Sequence, residues 1–307
     1  MRLPYSDWQK TAAAHRAKAE KWTCPYRARR AERRSHPIWD FLFTYYSFPP
    51  SLLENWHPGP GVVLEVPEDS PYPAPPFPAK AYRREGNDLF LDPGLAPEKV
   101  RQRWRQTLAL LQATASRPPQ FGCFGLHEWA MVYQGGQENW IRHAEVLPLR
   151  LPSGAIDRFV ESQSLCCSHF DAFRFFSPNA RPLNRTQPRA DQRLAQEQPG
   201  CLHANMDLYK WAAHAMPWAG ADLLLDCFLL ATETRQLDME ASPYDVRPLG
   251  FVPVPIETPE GRVLYAQRQK ALADKAAPLR ARLIDRFQEL LQLAESHSPT
   301  QSVPGIQ

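Results

Sequence analysis

The segment Cys201–Met216, CLHANMDLYKWAAHAM, carries the residue types in this chain best suited to chemistry. Placed on a helix at roughly 100° per residue, Leu202, Met206, Tyr209 and Ala213 share one narrow sector, an apolar stripe that faces a core. His203, Asp207, Lys210 and His214 share a second sector, about 60° wide by the same geometry, with Trp211 on its flank. A solvated helix face usually carries Glu, Lys, Gln and Arg. Two histidines, an aspartate and a lysine beside aromatic rings suit the wall of a site instead. His203 and Asp207 are i, i+4 neighbours, so both reach one metal ion, one water or each other. The stripe fits metal binding or acid/base work, and the bland alternative is a solvent face with a His–Asp hydrogen bond.

Two further segments add ligands and bases. Ser168–Arg174 contains His169-Phe170-Asp171. In an extended chain His169 and Asp171 point to the same side. A His-x-Asp with a distant His has the spacing of a two-His-one-carboxylate set, which suits Fe(II), and His203 or His214 completes it. The jelly roll that often carries such a set is not expected here, because the downstream region is helical. Gly122–Met131 places His127 and Glu128 after two glycines that allow a turn or a close backbone approach. Glu128 is a candidate base for activating water. The metal reading takes His127, His169, Asp171 and His203 as ligands of Fe, Mn or Zn. Asp238 and Ala241–Asp245 instead read as a helix end and a structural turn, since Pro243 stops the helix.

Nucleic-acid chemistry makes other demands. Base excision needs a carboxylate, apolar walls for an extruded base, and cations for phosphate. Asp207, Asp171 or Glu128 can supply the first. Trp129, Phe173, Phe175, Tyr209 and Trp211 can form walls, although aromatic residues at helical spacing are more often core. Arg174, Lys210 and a basic N-terminal arm can meet phosphate.

These residues need elements to hold them. Four helices follow from apolar periodicity and caps: Pro97–Ser116, Leu202–Ala215, Ala221–Met239, and one beginning at Thr258 that Pro278 must break or kink. The run LLLDCFLLA predicts deep burial of the third. Strand signals are short: residues 61–65, 146–151 and the aromatic stretch 159–176. The expected fold is mainly α (α+β), one compact helical domain over 36–296 with a small sheet or β-ribbon. Residues 1–35 read as a basic arm and 297–307 as a disordered tail. Six of the twelve residues in Pro67–Pro78 are proline, which excludes helix or central strand and predicts an extended surface loop.

Composition sets the class. The 307 residues suffice to bury a core without disulfides or metal staples. No apolar run approaches ~18 residues, so no transmembrane span is expected. Met1–Trp22 lacks an apolar signal region, and the six cysteines form no C-x-x-C pair, so a reducing cytoplasm is expected. Net charge is +3, but residues 1–34 hold ten Lys/Arg against Asp7, Glu20 and Glu32, a balance of +7 that leaves −4 for the remainder. DNA is the partner such an arm suggests.

The strings HPIWDFLFTYYSFPPSLLENWHPGPGVVLE, FGCFGLHEWAMVY, CSHFDAFRFF, EQPGCLHANMDLYKWA and LDMEASPYD resemble bacterial proteins labelled 3-methyladenine DNA glycosylase, common in actinobacteria. The resemblance covers His36 to Arg282. It implies hydrolysis of the N-glycosidic bond of an alkylated adenine in DNA, a step of base excision repair. The sequence has no helix-hairpin-helix segment and no Cys/His zinc set of the usual glycosylases, so no site residue transfers from them. On this reading Asp207 or Asp171 is the reacting carboxylate, His203 and His169 orient or protonate, and Lys210 and Arg174 hold phosphate. The alternatives are a metal-dependent enzyme on a small molecule and a non-enzymatic nucleic-acid-binding protein.

Overall fold

In a computed structural model, which describes residues 1–71, 76–135 and 147–296, the chain is mainly helical with one small sheet. In chain order the helices are α1 (Tyr5–Ala31), α2 (Phe41–Tyr45), α3 (Pro50–Glu54), α4 (Glu98–Ala115), α5 (Leu126–Val132) and α6 (Ser153–Glu161). They continue with α7 (Phe170–Phe173), α8 (Arg193–Gln196), α9 (Leu202–His214), α10 (Ala221–Glu240) and α11 (Pro259–Ser296). The strands β1 (Arg2–Leu3), β2 (Val63–Glu65), β3 (Tyr82–Glu85) and β4 (Asp88–Leu91) form one sheet in the order β1-β2-β4-β3. β1 runs parallel to β2, and the other pairs are antiparallel, with Leu64 opposite Leu89.

The α9–α10 pair forms the centre. Leu202, Met206, Tyr209 and Ala213 of α9 are all buried, as their spacing predicts. α10 is buried on most sides, Leu224, Cys227, Phe228, Ala231 and Leu237 included, and also buries Arg235 and Asp238. α11 packs along α4, α9 and α10, burying Tyr265, Leu272, Leu283, Phe287 and Leu290. Pro278 does not break it: α11 is continuous through the proline. Packing against three helices holds a turn that lacks one backbone donor.

Three expectations are corrected. Residues 1–35 are not a detached arm, because α1 buries Trp8, His15, Ala19, Thr23 and Tyr26, and the Trp8 indole N–H donates to the Glu65 carbonyl at 2.9 Å. Its charge is also partly used: Arg27 pairs with buried Glu54 and Arg29 with buried Asp40. Residues 159–176 are not a strand. Ile156 and Val160 give α6 a buried stripe at a spacing of four, and α7 follows; only Leu165 makes an isolated bridge, to Asn184. Of 146–151, Val146 lies outside the described residues, and Leu149 makes only an isolated bridge to Tyr244. The β3–β4 hairpin was not expected; its two-residue turn places Gly86 at φ +60°. Phe77 of the proline-rich loop does lie on the core, 5.6 Å from Trp8, whereas Tyr72 and the 297–307 tail lie outside the described residues. No described helix is long and apolar enough to cross a membrane.

Candidate metal centre

Three helices converge on His127, His203 and Asp238. Gly125, at φ +70°, lets the chain turn sharply into α5, and a Cβ there would already touch the Tyr265 ring at 3.4 Å. The seven residues of α5 then place His127 against α9 and α10. His203 comes from the first turn of α9 and Asp238 from the last turn of α10. All three are buried, and one ligand atom from each lies within 4.8 Å of the other two. Among the described residues this is the one group of His, Cys, Asp and Glu side chains that meets that spacing.

His127 Nε2 and Asp238 Oδ1 approach to 2.6 Å, and apart from this contact neither has a hydrogen-bond partner among the described residues. The His127 and His203 rings stand edge to face at 4.5 Å. Asp238 Oδ2 accepts from Arg235 Nη1 at 2.7 Å, which fixes the carboxylate and leaves Oδ1 facing His127. The same Nη1 donates to Glu128 Oε1 at 2.7 Å, while Glu128 Oε2 has no partner. Burial pushes the Asp238 carboxyl up, but the His127 and Arg235 charges outweigh it and hold the group well below the usual carboxylate range. Burial, with His127 close by, pushes His203 down to about 3, so it stays a neutral ligand at physiological pH. Burial raises Glu128 against the pull of Arg235.

Beside this group lies a second buried cluster, linked by ion pairs, in which both His169 ring nitrogens, Glu197 Oε1 and Arg193 Nε make no hydrogen bond. His169 is fully buried, with its ring 5.4 Å from that of His203. Its Nε2 is 3.5 Å from both Glu197 and Asp207. The Tyr46 hydroxyl donates to Asp207 Oδ1 at 2.7 Å, and Lys210 Nζ lies 3.0 Å from Asp171 and 3.4 Å from Asp207. Arg193 bonds Asp171 and Glu197. Burial opposes ionisation of Asp207, yet His169, Lys210 and Arg193 hold its carboxyl far below the ordinary range.

The structure thus brings His127, His169 and His203 together, and the polar stripe of α9 faces protein rather than solvent. It corrects the ligand set. Asp171 does not share a point with His203, because the chain enters α7 at Phe170 and the period-two alignment with His169 is lost. Asp171 is held by Lys210 and Arg193, and Asp238 stands where a carboxylate ligand was expected. The signal for Asp238 was an Arg235–Asp238 pair, i and i+3, following the apolar run of α10. Trp129 is no pocket wall: it is fully buried, and its indole N–H donates to the Ala241 carbonyl at 2.8 Å. Phe173 and Tyr209 are also core. Trp211 lies under the Lys210 ammonium at 4.7 Å, and His214 packs edge-on against Phe48.

His203 lines two cavities. One, about 240 Å³, is shared with His127 and with Cys123, Cys166, Cys167 and Cys201. All six cysteines are free thiols, and burial pushes Cys201 up to about 12. The other, about 350 Å³, is shared with Glu128, Arg174, Arg235 and the rings of Phe41, Tyr45 and Phe175. A larger cavity between α1 and the sheet is remote from these histidines. No family model matches this chain, and no curated protein or solved structure does either.

Proposed function

We propose that this protein is a metal-dependent enzyme acting on a small molecule, with His127, His203 and Asp238 as ligands of one divalent cation of the Fe, Mn or Zn class. The observation that carries this is the convergence of three buried ligand atoms within 4.8 Å, two of which, on His127 and Asp238, have only each other as partner. A two-His-one-carboxylate set of nitrogen and oxygen donors suits these metals and leaves coordination positions open. When bound, such an ion supplies Lewis acidity or an activated water. The chain's own part is to hold the ligands and the reactant. Arg235 orients Asp238, Glu128 lines the cavity and keeps Oε2 as an uncommitted buried acceptor, and the 350 Å³ space beside His203 is of small-molecule size.

Base excision, as a proposal, has less support. Its candidate carboxylates are Asp207, Asp171 and Glu128, and the first two are engaged by Lys210 and Arg193. The basic helix likewise commits Arg27 and Arg29 to buried carboxylates. Release of base from alkylated duplex DNA by the pure protein would restore that reading.

The direct test is metal content after purification without chelator, followed by reconstitution with Fe(II), Mn(II) or Zn(II). The expected result is close to one ion per chain, lost in His203→Ala and Asp238→Asn. A wild-type stoichiometry well below one after reconstitution with each metal overturns the proposal.

A further inference from the structure

The 350 Å³ cavity has a consistent chemical character. Its walls are aromatic: Phe41 and Tyr45 stack at 4.9 Å and 13°, and Phe175 stands 6.2 Å from Tyr45. Its mouth is cationic. The Arg174 side chain is 49% exposed, and its guanidinium lies 4.3 Å over the Phe175 ring. Tyr45, whose ring lies beside Phe175, lines the same cavity. The carboxylate nearest to Arg174 is Asp171, at 3.6 Å, and it is already held by Arg193 and by Lys210 at 3.0 Å. Arg193 also serves Glu197 and Asp207, and Lys210 also serves Asp207, so Arg174 adds to a cluster of three carboxylates while its half-exposed guanidinium reaches the rim. At the inner end Arg235 is balanced by Glu128 and Asp238. Flat apolar walls, one half-exposed guanidinium at the rim and a phenol beside it match a planar ring bearing a single carboxylate, which a guanidinium binds through two parallel N–H groups.

We infer that this cavity is the substrate slot and that it selects small aromatic carboxylates, docked on Arg174 and Tyr45 with the far end of the ring turned towards His203. The slot's role as a substrate site rests on the metal-centre reading, but its binding chemistry does not.

The test uses the full-length protein stripped of metal with chelator, so that failure of the metal centre leaves the readout intact. Binding of benzoate, of benzyl alcohol as its neutral counterpart, and of inorganic phosphate is followed by saturation-transfer NMR and calorimetry. Benzoate is expected to bind at least roughly tenfold more tightly than benzyl alcohol, and Arg174→Gln to weaken benzoate by a similar factor while leaving benzyl alcohol unchanged. Arg174 is at the surface, so this variant keeps the fold. Equal affinity for benzoate and benzyl alcohol, no binding of benzoate, phosphate displacing benzoate, or benzoate binding unchanged in Arg174→Gln each overturns the inference. Metal bound without benzoate binding removes the slot alone. Benzoate bound by a chain that takes up no metal removes the catalytic reading alone.

Discussion

Replacing Arg235 by Met isolates the electrostatics of the centre. Arg235 is 1% exposed, and one of its nitrogens sits 2.7 Å from both Glu128 and Asp238. Its guanidinium lies 3.8 Å from the Phe41 ring centre. Methionine fills similar space without charge, so two buried carboxylates lose their shared cation. Breaking a buried ion pair from one side costs about 3–5 kcal/mol. Unfolding entropy of ~2.1 cal/mol/K per residue over 307 residues gives roughly 0.6 kcal/mol/K, so Tm should fall by about 5–8 °C. The assay is thermal unfolding followed by far-UV circular dichroism, with chelator present. Glu128→Gln in the same background removes one uncompensated charge and should recover part of the loss, a coupling visible in a double-mutant cycle. A divalent cation should then raise the Tm of Arg235→Met more than that of the wild type, because it supplies positive charge beside Asp238. A Tm for Arg235→Met indistinguishable from the wild type, or an equal shift of both proteins by the cation, refutes the reasoning.

Three further outcomes follow from other parts of the fold. His57 is buried, and that burial, with His15 nearby, pushes it from 6.5 down to about 4, whereas the unfolded chain protonates near 6.5. Stability is therefore full above pH 6.5 and declines as pH falls towards 4, by at most about 3 kcal/mol, and His57→Gln should flatten that window in urea titrations. Glu54 accepts from Thr23 and Arg27, so Glu54→Gln should cost about 1–3 kcal/mol and speed hydrogen exchange in α1 first. At Gly261 a Cβ would sit 1.9 Å from the Pro255 carbonyl oxygen, so Gly261→Ala must displace backbone and should lower the urea midpoint by an equivalent of about 1–3 kcal/mol or more.

The long helices were legible because their signals are redundant. Trp104 and Leu111 on α4, the two stripes of α9 and the apolar body of α10 repeat at helical spacing over several turns. The buried face of α1 was hidden because His15, Ala19 and Thr23, which are small or polar, form its middle between Trp8 and Tyr26, while its arginines dominate the charge count. The β3–β4 hairpin was hidden because Arg83 and Arg84 interrupt any apolar alternation in four-residue strands. In the site, His127 and His203 were found from residue type alone. Asp238 was not, because a carboxylate near a helix end followed by Pro243 has an ordinary structural explanation, and only the tertiary fold shows which way Oδ1 points.

Buried charge alone does not separate function from structure here. α9 and α10 bury Asp207, Arg235 and Asp238 among Leu, Ala, Met and Phe, and apolar residues of similar size at such positions often give equal or greater stability. Satisfaction of each atom is the sharper criterion. Asp207 spends its oxygens on Tyr46, Lys210 and Arg193, and Asp171 on Lys210 and Arg193, so neither has capacity for a ligand without dismantling a network. Glu128 Oε2 is equally buried and has no partner, whereas His127 Nε2 and Asp238 Oδ1 have only each other, at 2.6 Å. An unpaired buried acceptor costs about 1–3 kcal/mol, so Glu128 Oε2 is the atom here with most to gain from a ligand. The same accounting prefers Asp238 to Asp171 as the ligand, although only Asp171 has a sequence spacing that suggests the role.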